Sequence, residues 1–470
     1  MVRKAEGYYV FIFAMIVCMT NWRPSMPAHA GPAYLAIADA ITRDVRSGRL
    51  YPGDLLPPQR LLADLLGLHL STITRAYGEA ERRGLIAGHA RRGTVVLDRA
   101  RATALFSPLP RGHEGMIDLC TNVPAVDIYY RGIEAQLAEL VAEHGIEGLM
   151  RYRSQSDWAR LQLDCAPWLL RCGLALDAVF PVLCAGAQHA LDQALALCCD
   201  RREVAVECFT YPGMKALAIA RGLLLIPLQM DSEGVTPESL LAAIRSGVRV
   251  VVLSSALQNP TGVSMGLERR QNIADLVRQH DINLIEEDVY GLLAAQKLPP
   301  ISALAPQQCV YLTALSKTVA PGLRFGILAL PARLATRMRD AMHTSSWYLS
   351  PLCAELACRM IQDGSADERL AWQKNELRQR NRLFDQALGR PSLTECTTPH
   401  RWLQLPPDVS VPRILQALSA QGLLAVNGAD FAVGAEAQRI KALRLSLGAA
   451  ASHAELLRAG QILAATPGLL

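Results

Sequence analysis

Lys317 and Arg324 are the only charges in the run Ala314-Leu-Ser-Lys-Thr-Val-Ala-Pro-Gly-Leu-Arg-Phe-Gly326. An ammonium set among Leu315, Val319, Leu323 and Ile327 is costly to bury, and burial loosens its proton. A lysine in that condition can attack a carbonyl and hold it as a Schiff base. Arg324 follows the Pro321-Gly322 turn and offers a two-pronged fork for a phosphate close to that carbonyl.

Other groups suit a ring carried by the same ligand. Asn259, in Gln258-Asn-Pro-Thr-Gly262, has an amide that can donate to a phenolate oxygen. Asp288 and Tyr290 follow the apolar run 282–285 and share a face if the chain stays extended. A carboxylate there keeps a ring nitrogen protonated, and the phenol bonds an oxygen on the same ring. Tyr211, before Pro212-Gly213, can lie flat against a heteroaromatic ring. Ala185-Gly-Ala-Gln-His-Ala-Leu191 opens a helix whose first amides, at Gly186, Ala187 and Gln188, favour a phosphate. The steps from Asn259 to Asp288 and from Asp288 to Lys317 are both 29 residues, one strand-helix-strand unit each.

The elements that would position these groups alternate along residues 116–470. Strand-like runs at 203–208, 223–228, 248–253, 282–285, 310–312 and 327–330 are separated by helical patterns. That order predicts an α/β domain with a mostly parallel sheet and ligand groups at its strand ends. A chain of 470 residues is too long for one ordinary domain.

Residues 31–97 have a different character. A helix is predicted over 34–47 with Leu35, Ala38, Ile41 and Val45 on one face, a short helix over 58–66 ends at Gly67, and another runs from about Ser71 to Arg83 with Ile73, Ala76, Tyr77 and Ala80 facing inward. Two short β segments around a basic tip follow at 88–97. Residues 31–105 carry eleven Arg against seven acidic residues, +4 of a total of +5, which points to a polyanionic partner. Residues 98–115 hold Pro108, Pro110, Gly112 and Gly115 without apolar period and read as a linker.

The lysine-arginine run resembles the Ser-Lys…Pro-Gly-Leu-Arg-x-Gly motif of the fold-type-I pyridoxal-phosphate (PLP) aminotransferases. That likeness implies an aminotransferase class I/II-like domain over 116–470, with a smaller C-terminal α+β subdomain from roughly 345, and PLP as cofactor. It implies Lys317 as the catalytic Schiff-base lysine, Asp288 as pyridinium partner, Tyr290 and Asn259 on the ring oxygen, and Tyr211 stacked on the ring. Gly186, Ala187, Gln188, Ser316 and Arg324 would hold the phosphate. Leu443-Arg-Leu-Ser-Leu-Gly448 is similar to the family strand whose arginine takes a substrate α-carboxylate, which implies Arg444 as the substrate or effector clamp. Tyr152 resembles a tyrosine that reaches a neighbouring subunit's phosphate, with Asp157 where the family has glycine.

Gly48-Arg-Leu-Tyr-Pro-Gly53, Arg60-Leu-Leu-Ala-Asp-Leu-Leu-Gly67 and Arg92-Gly-Thr-Val-Val96 resemble the signatures of the GntR-type winged helix-turn-helix. By that resemblance Arg60 grips phosphate, Thr72, Thr74 and Arg75 enter the major groove of double-stranded DNA, and Arg91, Arg92 and Gly93 carry the wing into the minor groove. His69-Leu70 replaces the family's Ser-Arg, so either His69 caps the helix or the helix begins at Ser71. Head and body together resemble the MocR-type subgroup of GntR transcriptional regulators. The implied function is a PLP-binding, homodimeric transcription factor that senses an amino acid or amine by aldimine exchange at Lys317. The alternative is an active aminotransferase with a fused DNA-binding head; PLP itself as effector is a third reading.

Twelve cysteines without a Cys-x-x-Cys pair read as reduced core residues, with no metal site expected. Residues 1–30 admit three readings. Arg3 and Lys4 before the apolar run 8–20, with Ala28-His29-Ala30 behind it, have the layout of a secretory signal; the run can also form an N-terminal helix or anchor; or Met26 is the natural start of an over-extended frame. Thirteen apolar residues are too few to span a membrane comfortably, and a DNA-binding module with a PLP site belongs in the cytoplasm.

Overall fold

The computed structural model describes residues 22–24, 32–46, 49–50, 54–89, 93–97, 116–125, 131–335, 337–338, 349–391, 395–435 and 437–469. The linker 98–115, the wing tip with Arg91 and Arg92, and residues 1–21 with the apolar run lie outside them.

The head comprises α1 (Ala33–Arg46), β1 (Leu55–Leu56), α2 (Gln59–Leu66), α3 (Leu70–Arg82), β2 (Ile86–His89) and β3 (Gly93–Val96). The strands form an antiparallel wing in the order β1-β3-β2. Ile37, Ile41 and Val45 from α1 meet Ile73, Ala76, Tyr77 and Ala80 from α3 in a dry core, the inward face expected for α3. Leu35 is only half-buried. Gly67 ends α2 at φ 63°, a left-handed cap that glycine adopts without strain. His69 settles the start of α3: its Nδ1 accepts from the Ser71 amide at 3.4 Å, so the helix begins at Leu70 on a long cap bond. Trp22 enlarges the expected module. It is 5% exposed within the head's core, and its indole donates to Asp44 Oδ2 at 2.7 Å.

The body is built on seven strands: β4 (Phe180–Cys184), β5 (Glu203–Glu207), β6 (Leu224–Leu228), β7 (Val250–Leu253), β8 (Asn283–Glu287), β9 (Cys309–Ala314) and β10 (Gly326–Leu330). Their order is β4-β10-β9-β8-β7-β5-β6, with β10 antiparallel to both neighbours and the other pairs parallel. Val250-Val-Val-Leu253 in β7 and Ile327-Leu-Ala-Leu330 in β10 are buried throughout, as apolar runs covered on both faces of a sheet should be. On one face α4 (Ala187–Cys198) packs Leu191, Ala194 and Leu195 against Val252, Ile285 and Leu312. Helices Pro237–Arg245 and Leu267–Gln279 cover Val251, Leu253 and Leu284 on the other.

The small subdomain has an antiparallel sheet of β11 (His400–Gln404), β12 (Val426–Asn427) and β13 (Ala442–Ser446), in the order β11-β13-β12. Two boundaries differ from the expected 345–470. Helix Pro351–Gln362 packs with Trp158, Trp168 and Phe325 of the large layer. Conversely Ile117 and Leu119, the first described residues after the linker, enter the small core, where Ile117–Asp118 pairs in parallel with Leu423–Leu424.

Candidate cofactor site and DNA-binding head

The carboxyl ends of β5, β7 and β8 and the start of α4 converge with Lys317, which follows β9. The Lys317 ammonium donates to the backbone carbonyl of Asn122. Burial, then the charges of Arg444 and Arg324, pull its pKa down to about 8, against the opposing pull of Glu287. Ser316 beside it is buried.

Glu287, not Asp288, is the carboxylate that faces this lysine. β8 remains extended to Glu287, so side chains alternate: Ile285 and Glu287 project to the α4 side, Glu286 and Asp288 to the other. Glu286 accepts from the amides of Ile301 and Ser302 at 3.0 and 2.7 Å. Asp288 accepts from the buried Tyr311 hydroxyl at 2.7 Å and lies against Gly291, where a Cβ would fall 2.1 Å from its Oδ1. The Asp288 carboxylate, expected at the ring nitrogen, thus lies on the opposite face of the strand from Glu287 and Lys317. Burial lifts Glu287 to about 7, with Lys317 lowering and Asp288 raising it. Tyr211 and Tyr290 both feel the Glu287 charge, and burial holds both phenols well above their ordinary pKa.

Opposite this group, Gly186 caps α4 at φ 87° with no side-chain cap, leaving the first amides of the helix uncapped by a side chain. The Arg324 guanidinium lies on Gly186, donating to Ala185 O at 3.2 Å. A Cβ on Gly186 would fall 2.8 Å from Arg324 Nη2, and one on Gly326 would fall 2.7 Å from the Gly186 carbonyl carbon. Gln188 turns its amide to Gly213 O at 3.1 Å, so its side chain supports the Tyr211 turn while its backbone sits in the first turn of α4. Arg444, on β13, is 4% exposed. One of its nitrogens donates to Cys120 O, its guanidinium carbon is 5.3 Å from the Phe431 ring centroid, and Nε and Nη1 have no hydrogen-bond partner among the described residues. Asn259 Oδ1 is likewise buried without one.

In the head, Arg60 is exposed on α2. Thr74 donates to Gln59 Oε1 at 2.7 Å, tying α3 to α2, and Thr72 is half-buried in the first turn of α3. Arg75 stacks over Tyr34, 4.2 Å from the ring centroid. Gly93 opens β3 at φ 90°.

Residues 114–463 match the family model of class I and II aminotransferases, and residues 33–96 that of the bacterial gntR regulatory proteins. The HTH-type transcriptional regulator YdeF of Bacillus subtilis is 31% identical over 443 residues, covering 93% of this chain and 94% of that protein. The vitamin B6 salvage pathway transcriptional repressor PtsJ of Salmonella typhimurium is 26% identical, over 86% of this chain and 92% of its own length. Among solved structures, the kynurenine aminotransferase of Pyrococcus horikoshii superposes with a TM-score of 0.68 at 22% identity, over 75% of this chain and 91% of that one.

The chain belongs to the MocR-type subgroup of GntR transcriptional regulators. The cofactor of this subgroup is PLP, and the residues present fit it. A glycine-built helix start under an arginine suits a phosphate, a lysine whose proton is loosened suits an aldehyde, and the Arg444 nitrogens without a partner among the described residues suit a carboxylate. Asp157 forms a capping box with Ser154 at the start of helix Gln155–Asp164. Glu287, Asn122 and His400 are not among the residues expected from the sequence. Strand alternation carried on from Ile285 was the signal for the first; the other two lie 195 and 83 positions from Lys317, with no motif to mark them.

Proposed function

We propose that this chain is a PLP-dependent regulator whose DNA-binding head answers to an amino acid or amine held at Lys317 and Arg444. The observation that carries the reading is one pocket containing an amine lowered to about 8 and a buried guanidinium with two unpartnered nitrogens, in the same chain as a winged helix. When bound, PLP supplies an electrophilic aldehyde on an electron-withdrawing ring. Gly186, Ala187, Gln188 and Ser316 with Arg324 would bind the phosphate. Tyr211 would stack on the ring, Asn259 and Tyr290 would hold its oxygen, and Glu287 would replace Asp288 at its nitrogen. Arg444 would orient the effector through its carboxylate, leaving the effector amine to compete with Lys317. Arg60, Thr72, Thr74 and Arg75, with Arg91, Arg92 and Gly93 of the wing, would bind DNA. We assign the working form to a cytoplasmic homodimer, because a twofold pair of heads matches repeated half-sites.

Absorbance tests the pocket. Full-length protein with PLP should show a band at roughly 420 nm, as expected for a lysine-linked pyridoxal chromophore, and Lys317→Ala should lack it. The same spectrum from both proteins would remove the reading. Steady amino-group transfer to a keto acid, together with no binding to the promoter DNA upstream of the coding sequence, would favour the enzyme alternative, since Lys317 also stands where a proton shuttle is needed.

A further inference from the structure

The phenol of Tyr290 has a hydrogen-bond chain behind it. Asn122, from the segment that follows the linker, places its side-chain nitrogen 2.8 Å from the Tyr290 oxygen and 3.1 Å from Nδ1 of His400. Nε2 of His400 is 2.9 Å from the carbonyl oxygen of Gln258. A carbonyl only accepts, so Nε2 carries the proton. The ring is fully buried, and burial drives its pKa down to about 3, so it is neutral and Nδ1 is left with a lone pair. Nδ1 must then accept, which demands the amino side of Asn122. Ser446 Oγ, 3.3 Å from Asn122 Oδ1, orients the amide the same way. The other Asn122 hydrogen goes to the Tyr290 oxygen. An oxygen that accepts from behind directs its own hydrogen forward, into the pocket. The charged and titratable groups facing this chain are Lys317, Arg444, Glu287 and Tyr211.

We infer that Asn122 and His400 are positioning residues that commit Tyr290 to donate its phenolic hydrogen to the ring oxygen of the cofactor. The inference rests on the reading of the pocket as a PLP site. Asn122 also holds Lys317 through its own carbonyl, so one residue just past the linker touches both cofactor-facing side chains.

Two measurements on the full-length chain test it. With selectively labelled histidine, the nitrogen spectrum of His400 should show the neutral Nε2–H tautomer throughout about pH 5 to 8, where an ordinary histidine titrates. An Nδ1–H tautomer, or protonation within that range, overturns the inference whether or not cofactor binds. With PLP bound, a donor to the ring oxygen favours the deprotonated chromophore, so Asn122→Ala should raise the pH midpoint of the lysine-dependent band by about one unit, tenfold in the equilibrium. In a Tyr290→Phe background the same change should shift it no further. A band that forms normally with an unmoved midpoint in Asn122→Ala defeats this inference alone; a wild-type protein without the band defeats the pocket reading and this inference with it.

Discussion

Lys317 reacts only as the free amine, so its depressed pKa makes a kinetic prediction. Below about 8 the rate constant for capturing PLP should rise roughly tenfold per pH unit and then level off, whereas a solvated lysine would climb to about 10.4. Continued rise above pH 9, measured by stopped-flow absorbance, would show an ordinary ammonium. Glu287 and Asp288 separate by a second pair of variants. Glu287→Gln should weaken PLP retention by tenfold or more, about 1.4 kcal/mol, with little change in melting temperature. Asp288→Ala should leave retention near wild type and lower stability by about 1–3 kcal/mol, since the Tyr311 hydroxyl would lose its buried acceptor. Reversed outcomes would restore the first assignment. Lys317, Arg324, Tyr211 and Asn259 could be singled out as candidates because each sits in a short motif whose chemistry is local. The choice between two adjacent carboxylates depends on strand parity, and the strand reading stopped at Ile285, two residues before the strand does.

The start of α4 is the element on which the phosphate claim rests. Gly186 stands at φ 87° with the Arg324 guanidinium on its α-carbon, so Gly186→Ala combines backbone strain with a 2.8 Å approach. We expect PLP affinity to fall by tenfold or more, measured by equilibrium dialysis; unchanged affinity would mean that the phosphate lies elsewhere. Six of the seven large-sheet strands were readable as apolar runs. β4 was not, because Phe180-Pro-Val-Leu-Cys184 is short and carries a proline that the sheet tolerates at its edge. In the head, the inward face of α3 followed from its 3.6-residue period. Trp22 did not, because it precedes the first described helix and packs through tertiary contact alone.

At the scale of the whole molecule, the two functional units are joined through a segment that is also part of the pocket. Residues 117–119 enter the small subdomain's core, Cys120 O takes Arg444, and Asn122 takes Lys317, all within a few positions of the linker's end. Such long-range partnerships, 324 and 195 positions apart in sequence, leave no periodic trace; the order of the domains does, through their motifs. A ligand shifts the head only if it binds two arrangements of the chain unequally, and such couplings are typically about 1–3 kcal/mol, or 5- to 150-fold in affinity. The decisive measurement is a titration of wild-type and Lys317→Ala protein onto the promoter DNA upstream of the coding sequence, at fixed salt, with PLP alone and with PLP plus a panel of amino acids and amines. At least one amine should change wild-type affinity within that range and leave Lys317→Ala unmoved. Equal affinity under all conditions, or the same response from both proteins, would contradict it.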